Sequence, residues 1–163
     1  MVVAWVLIFI INSLFPEMKA EAVALVHNGN DFAFALKGYG QVIFQDNLLA
    51  GILFFIAVFV SSPIAALYGL ASGIVTAILA LYFSVPVTDI EIGLYSFNAV
   101  LCGIVFAGEK PKDGIWALIA VVLSFGVSFF IFKYELIQLT FPFVAASFIV
   151  VTLKEKFLHK NPV

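Results

Sequence analysis

Charged side chains are scarce in this sequence, and one type is missing altogether. Asp, Glu, Lys and Arg make up 11% of the 163 residues, with no arginine, whereas 64% of the residues are hydrophobic. Soluble domains have about 25% charged and about 45–50% apolar residues. Such an excess of apolar residues is too large for a surface that faces water, so the sequence predicts a multi-pass protein of the cell membrane, surrounded by the lipid bilayer. The lack of a basic face excludes a nucleic-acid partner.

Groups that serve catalysis or metal binding are equally scarce. Cys102 is the only cysteine, which excludes an intramolecular disulfide and a metal site built from cysteines. His27 and His159 lie outside the long apolar tracts, and the acidic residues lie in the connections. The sequence therefore predicts no enzyme, no cofactor and no bound metal. It also contains no chain of ionisable side chains that could relay protons through a membrane, so a pore through this protein would be neutral.

Apolar tracts of roughly 17–25 residues can cross a bilayer as helices. The sequence predicts an all-α integral membrane protein with five transmembrane helices, at residues 48–60, 63–83, 92–107, 115–132 and 136–153. Residues 1–30 form a short apolar N-terminal segment and a polar connection, residues 31–153 form one membrane-embedded domain, and residues 154–163 form a charged C-terminal tail. Because more lysines fall on the side of the tail, the positive-inside rule predicts a cytoplasmic C-terminus.

Small residues recur at every fourth position of the second predicted span. Ala65, Gly69, Gly73 and Ala77 fall on one face of that helix. Such a stripe lets helix backbones approach closely in lipid, so it predicts tight helix packing rather than a binding site.

A polar stretch, "KGYGQVIFQDN" at residues 37–47, comes directly before the first predicted span. Gly38 and Gly40 each disfavour a regular helix by about 1 kcal/mol relative to Ala. Non-helical backbone at membrane depth survives only where protein or a water-filled cavity covers it. The stretch is therefore predicted to be either an ordinary interfacial loop or non-helical backbone whose carbonyls, with the amide of Gln41, face a cavity.

A second polar position interrupts "GLYSFNAVLCG" at residues 93–103. Asn98 is an uncharged polar residue inside an apolar helix, and its neighbours Phe97 and Leu101 share one helix face because they are four residues apart. Either these side chains line a solute path, or the aromatic ring is simply packed while Asn98 bonds a neighbouring helix.

The third polar position is "LIQLTFPF" at residues 136–143. Pro142 lacks an N–H, so it would weaken a helix here and leave the carbonyl of Gln138 without its helical partner. Thr140 offers a hydroxyl in the same turn, either to a solute or, in a Pro-kinked helix, to its own backbone. Together the three positions describe a narrow neutral path, which suits a small flat solute with several N–H donors.

At these residues the sequence resembles the urea transporter family. The first stretch is similar to the family's pore-helix motif, a glycine-flanked Gln-Val followed by Phe and then Gln-x-Asn. "GLYSFNAVL" is similar to the family's GLYGFNxxL segment, and "LIQLTFPF" is similar to its signature LPxxTxPF, with Ile137 in place of the first proline. The match extends over about residues 34–153, in the family's order of one re-entrant pore helix and then five spans.

The resemblance implies a passive urea channel, and family members are usually trimers with one pore per subunit. The residues that it places along the pore are Gln41, Val42, Phe44, Phe97, Leu101 and Thr140. The glutamine would accept N–H groups of urea at the pore mouth, the two phenylalanines would form an aromatic slot, and the threonine would supply a hydroxyl at the central constriction.

The resemblance also implies a second half. The usual family chain holds two such repeats, inverted relative to each other, which enclose one pore, whereas this sequence contains the three motifs once. The leading hypothesis is a homo-oligomer in which two copies associate antiparallel about a two-fold axis in the membrane plane, with a trimer of such pores as a further level. The lysine asymmetry favours a single orientation instead, which leaves a separately encoded opposite half or a non-conducting half-protein as alternatives.

Two other functions compete with a channel for urea or a close small amide. An ammonia or ammonium channel is disfavoured, because such channels rely on paired pore histidines and neither histidine lies in a predicted span. A non-conducting membrane scaffold or assembly subunit fits the single repeat and the small-residue stripe.

Overall fold

The computed structural model of the chain describes residues 2–14, 33–43, 45, 47–134 and 138–160, and these residues form helices and the turns between them, with no strand. The chain divides into two compact units, residues 1–30 and residues 31–163. In the first unit, helix α1 runs over Val2–Leu14, within the apolar N-terminal segment.

Seven helices of the second unit are described. They are α2 (Ala33–Gln41), α3 (Leu48–Ser61), α4 (Pro63–Tyr82), α5 (Val87–Glu91), α6 (Phe97–Phe106), α7 (Pro111–Lys133) and α8 (Phe141–Lys160). By length and composition α4 and α7 can cross a membrane, and α3 and α6 are shorter apolar helices. Two predicted spans begin later than expected, because turns precede α6 and α8, and α8 continues to Lys160, into the predicted tail.

Polar side chains fix where α3 and α4 begin. The Oδ1 atom of Asn47 accepts the backbone N–H of Leu49 at 2.8 Å, and the hydroxyl of Ser62 accepts the backbone N–H of Ala65 at 3.3 Å. These bonds satisfy N–H groups that have no partner inside the first turn of a helix. Pro63 occupies that first turn of α4, where its missing N–H removes no helical bond. Helix α4 therefore begins at residue 63, where the second span was predicted to begin.

Helices α4, α6, α7 and α8 enclose the main apolar core. Its buried residues are Ala99, Cys102, Phe106, Ala117, Ala120, Val121, Ala146 and Val150. The four small residues of the α4 stripe are also buried, and a Cβ on Gly69 would lie 2.8 Å from Cζ of Tyr39 in α2. The prediction that the stripe serves close packing is confirmed, since it brings α4 against its neighbours in the same chain.

Large apolar side chains cover much of the outer surface of the second unit. Ile78, Leu118 and Phe148 are between 51% and 73% exposed and lie on α4, α7 and α8. Contiguous exposed apolar surface of this kind is unfavourable in water and is typical of helices that face lipid or another protein. At one end of the unit, Lys154 of α8 forms an ion pair with Asp113 of α7, with 3.4 Å between Nζ and Oδ1.

Candidate functional site

Helix α2 extends into the first polar stretch as far as Gln41, as the resemblance to a pore-helix motif implied. The two interpretations drawn from the glycines alone, a loop or non-helical backbone, are therefore wrong at Gly38 and Gly40. Tertiary packing explains the difference. A Cβ on Gly40 would lie 2.5 Å from the carbonyl oxygen of Gln45, and a Cβ on Gly38 would collide with the hydroxyl of Ser96. The cost of the two glycines in a helix, about 1 kcal/mol each, is therefore offset by a close approach that no other residue allows.

Backbone hydrogen bonds close the C-terminal end of α2. The Gly40 carbonyl accepts the N–H groups of Ile43 and Gln45, each at 3.0 Å. This carbonyl is therefore bonded within the chain, unlike in the alternative that carbonyls of this stretch face a cavity without a partner. The side chains of Gln41 and Val42 at this end are half-buried. The Gly40 carbonyl is thus already used within the chain, whereas the side chain of Gln41 remains a candidate solute-binding group.

The second motif begins with a glycine turn. Gly93 has a φ of +78°, which residues with a side chain rarely adopt, and a Cβ on it would lie 2.8 Å from the backbone nitrogen of Gly38. The Gly93 carbonyl accepts the hydroxyl of Ser96 at 3.1 Å and the backbone N–H of Phe97 at 3.2 Å. The turn therefore starts α6 at Phe97 while it lies against the backbone of α2.

One of the two rings expected to form an aromatic slot lies within the described residues. Phe97 is the first residue of α6 and is buried, and Leu101, one turn later on the same face, is half-buried. Phe44, the other expected ring, lies outside the residues that the structure describes.

In the described part of the third motif, residues 138–143, a turn is followed by the start of α8, in place of the predicted kinked helix. Leu139 has a φ of +46°, and Phe141 donates its backbone N–H to the Gln138 carbonyl at 3.1 Å. Pro142 then lies in the first turn of α8, a position that requires no N–H. The expectation that Pro142 weakens a continuous helix and frees the Gln138 carbonyl is therefore wrong. Thr140 is half-buried within the turn.

Two buried amide side chains join the second and third motifs. Asn98 donates from Nδ2 to the Leu139 carbonyl at 3.0 Å, and its Oδ1 accepts the backbone N–H of Phe143 at 3.3 Å. Gln138 donates from Nε2 to the Leu94 carbonyl. The interpretation of Asn98 as a residue that bonds a neighbouring helix is confirmed. A structural role for the Gln138 side chain was not predicted from the sequence. A glutamine within a mostly apolar motif could have indicated a buried hydrogen bond.

The three motifs meet around residues 93–98. The first touches this segment through Gly38, and the third is hydrogen-bonded to it by the two amides. Phe97 and Thr140 thereby lie on adjoining segments, and Gln41 follows Gly38 by three residues, about 4.5 Å along the axis of α2. The predicted site residues gathered here carry amide, hydroxyl and aromatic groups, while Lys37, directly before Gly38, supplies one positive charge. Within the described ranges, no group of three His, Cys, Asp or Glu residues could hold a metal ion.

The comparison with known proteins agrees with these motifs. A family model described as urea transporter matches residues 1–155. Urea transporter 1 of Mus musculus is 34% identical over 118 residues, which is 66% of this chain and 31% of the relative. Urea transporter 1 of Ovis aries is 30% identical over 120 residues, 68% of this chain and 31% of the relative. The chain thus spans about a third of the length of these curated relatives. Because the family model matches nearly the whole sequence, the chain belongs to the urea transporter family.

Proposed function

We propose that this chain forms one half of a passive channel for urea or a similar small neutral amide. The observation that carries the proposal is the meeting of three polar motifs, separated by tens of residues, around residues 93–98, where the predicted pore-lining side chains are all uncharged. Burial of an unpaired ion costs far more free energy than burial of a hydrogen-bonded neutral solute, so an uncharged site of this kind favours the neutral solute. Its amide and hydroxyl oxygens accept hydrogen bonds, and urea carries four N–H donors.

Each predicted site residue receives a role in this channel. The pore-lining residues are Gln41, Val42, Phe44, Phe97, Leu101 and Thr140. The amide oxygen of the glutamine accepts N–H groups at the mouth, the rings of the two phenylalanines hold the planar solute, and the threonine hydroxyl accepts an N–H at the constriction. The valine and leucine complete an apolar wall that excludes hydrated ions.

Lys37 supports urea over ammonium as the permeant. It lies on α2 four residues before Gln41, so the two side chains share one helix face. A positive charge beside the mouth repels ammonium and other cations, whereas a neutral amide is unaffected. The scaffold alternative loses one of its arguments, because the small-residue stripe of α4 packs inside the chain rather than toward a partner.

The opposite wall of the pore is proposed to come from a second, inverted copy of the chain. In this arrangement α2 is the re-entrant pore helix, the helices α3, α4, α6, α7 and α8 are the five spans, and residues 31–153 are the repeat. An odd number of spans makes a second repeat run in the opposite direction, and solute sites of such folds lie at the interface between inverted repeats. Two such copies would enclose one pore, and a trimer of pores is the further assembly.

Urea flux into proteoliposomes tests the proposed function. We expect saturable flux that falls about fivefold to tenfold in Gln41→Ala and in Thr140→Val, because each loses one hydrogen bond to the solute. The matched control is Thr152→Val, which removes a threonine hydroxyl from α8 outside the three motifs and should retain the wild-type flux. Flux equal to that of empty liposomes would favour the scaffold instead.

A further inference from the structure

Side-chain hydrogen bonds, here termed ties, hold the backbone on both sides of Thr140. Leu139 has a φ of +46°, a backbone conformation that is unfavourable for leucine and persists only when neighbouring contacts hold it. Its carbonyl accepts the Asn98 side chain at 3.0 Å. The same side chain accepts the backbone N–H of Phe143 at 3.3 Å, which is a donor in the first turn of α8 without a partner inside the helix. Asn98 is therefore bonded to the backbone both before Thr140, at residue 139, and after it, at residue 143.

A second tie runs in the opposite direction. Gln138, from the third motif, donates its side-chain N–H to the backbone carbonyl of Leu94, in the second motif. Both amides are buried, with Asn98 at 0% and Gln138 at 3% exposure, so water does not compete for these bonds. The backbone on either side of Thr140 is thus bonded to the segment that carries Phe97.

We propose that Asn98 and Gln138 are positioning residues that set the distance between the Thr140 hydroxyl and the ring of Phe97, and thereby the size selectivity of the pore. The inference rests on the proposed channel function, and neither amide is assigned a contact with the solute. Because the ties act on the backbone, their loss lets the constriction widen. The expected consequence is passage of larger amides, not only a slower passage of urea.

The test compares urea with 1,3-dimethylurea, a larger amide with fewer N–H groups, in proteoliposomes that contain the full chain. In Asn98→Leu, and in Gln138→Met as the milder variant, we expect the ratio of urea to dimethylurea permeability to fall at least about fivefold, the size expected when a buried hydrogen bond is lost. Thr140→Val should lower urea flux without admitting dimethylurea, since its backbone stays tied. In the double variant Asn98→Leu/Thr140→Val, the loss of urea flux should be smaller than the two single effects combined.

A distance measurement separates failure of this inference from failure of the channel function. Spin labels replace the exposed residues Val105 of α6 and Val144 of α8, with the buried Cys102 changed to Ala. We expect a narrow distance distribution with the native amides and a broader one in Asn98→Leu, whether or not urea permeates. A distribution that is unchanged in both amide variants, or selectivity that is unchanged while urea flux is measurable, overturns the proposal.

Discussion

Gly51 of α3 packs against the carbonyl group of Leu36 in α2, so closely that a Cβ on Gly51 would lie 2.7 Å from the Leu36 carbonyl carbon. Backbone meets backbone at this point, and neither partner can retreat without moving its helix. The position of α2, and with it the position of Gln41, depends on this contact.

Gly51→Ala should therefore destabilise the protein, even though alanine is the better helix former. We expect a loss of about 1–3 kcal/mol from the forced separation of α2 and α3. Gly126 of α7 is the matched control, because a Cβ there meets nothing within 4 Å. Gly126→Ala should raise stability by about 0.5–1 kcal/mol through helix propensity alone. Thermal unfolding in detergent measures both changes, and a stabilised Gly51→Ala would show that the contact is not close.

Removal of the Tyr39 hydroxyl should weaken the attachment of α2 to α4. The side chain is fully buried, and its hydroxyl donates to the Ala66 carbonyl at 2.5 Å. We expect Tyr39→Phe to lower the free energy of unfolding by about 1 kcal/mol, the typical net value of one buried hydrogen bond. Tyr82→Phe removes the hydroxyl of a tyrosine that is 82% exposed and should change stability by no more than about 0.5 kcal/mol. Equal effects of the two substitutions would contradict this role.

Two inverted copies require that the chain insert into the membrane in both orientations. Lys156→Cys places a thiol at an exposed position near the end of α8, while Cys102 is fully buried and serves as an internal control that should stay unlabelled in the folded protein. With a membrane-impermeant maleimide, we expect about half of the Lys156→Cys chains to react in intact cells and the remainder only after permeabilisation. Labelling from one side alone would contradict the inverted second copy and would favour a separately encoded opposite half.

The amino-acid sequence is sufficient to predict the membrane location and the three motifs, because scarcity of charge and motif order are properties of the chain itself. It also predicts the start of α4, since Ser62 and Pro63 act on their immediate neighbours. The helical state of Gly38 was not predictable from helix propensity, which ignores its partner Gly93 far along the chain. Only the resemblance to the family's pore-helix motif indicated a helix at this position.

The start of α8 shows the same limit. A proline is compatible both with a kink and with the first turn of a helix, so Pro142 alone does not distinguish the two. The deciding contact is the bond from Asn98 to Leu139, two residues that lie 41 positions apart. Local patterns in this chain therefore identify which residues matter, and long-range contacts determine the backbone that presents them.

At Gly38 and Gly93, two backbone segments lie in direct contact. A Cβ added to Gly93 would lie 2.8 Å from the backbone nitrogen of Gly38. Side-chain rotamers exchange in picoseconds to nanoseconds, but neither glycine has a rotamer to exchange. The spacing between α2 and this turn can change only through movement of the backbone, which is slower than the exchange of a side-chain rotamer. An opening beside α2 would thus have a backbone frame of constant spacing, within which only the lining side chains move on the nanosecond timescale.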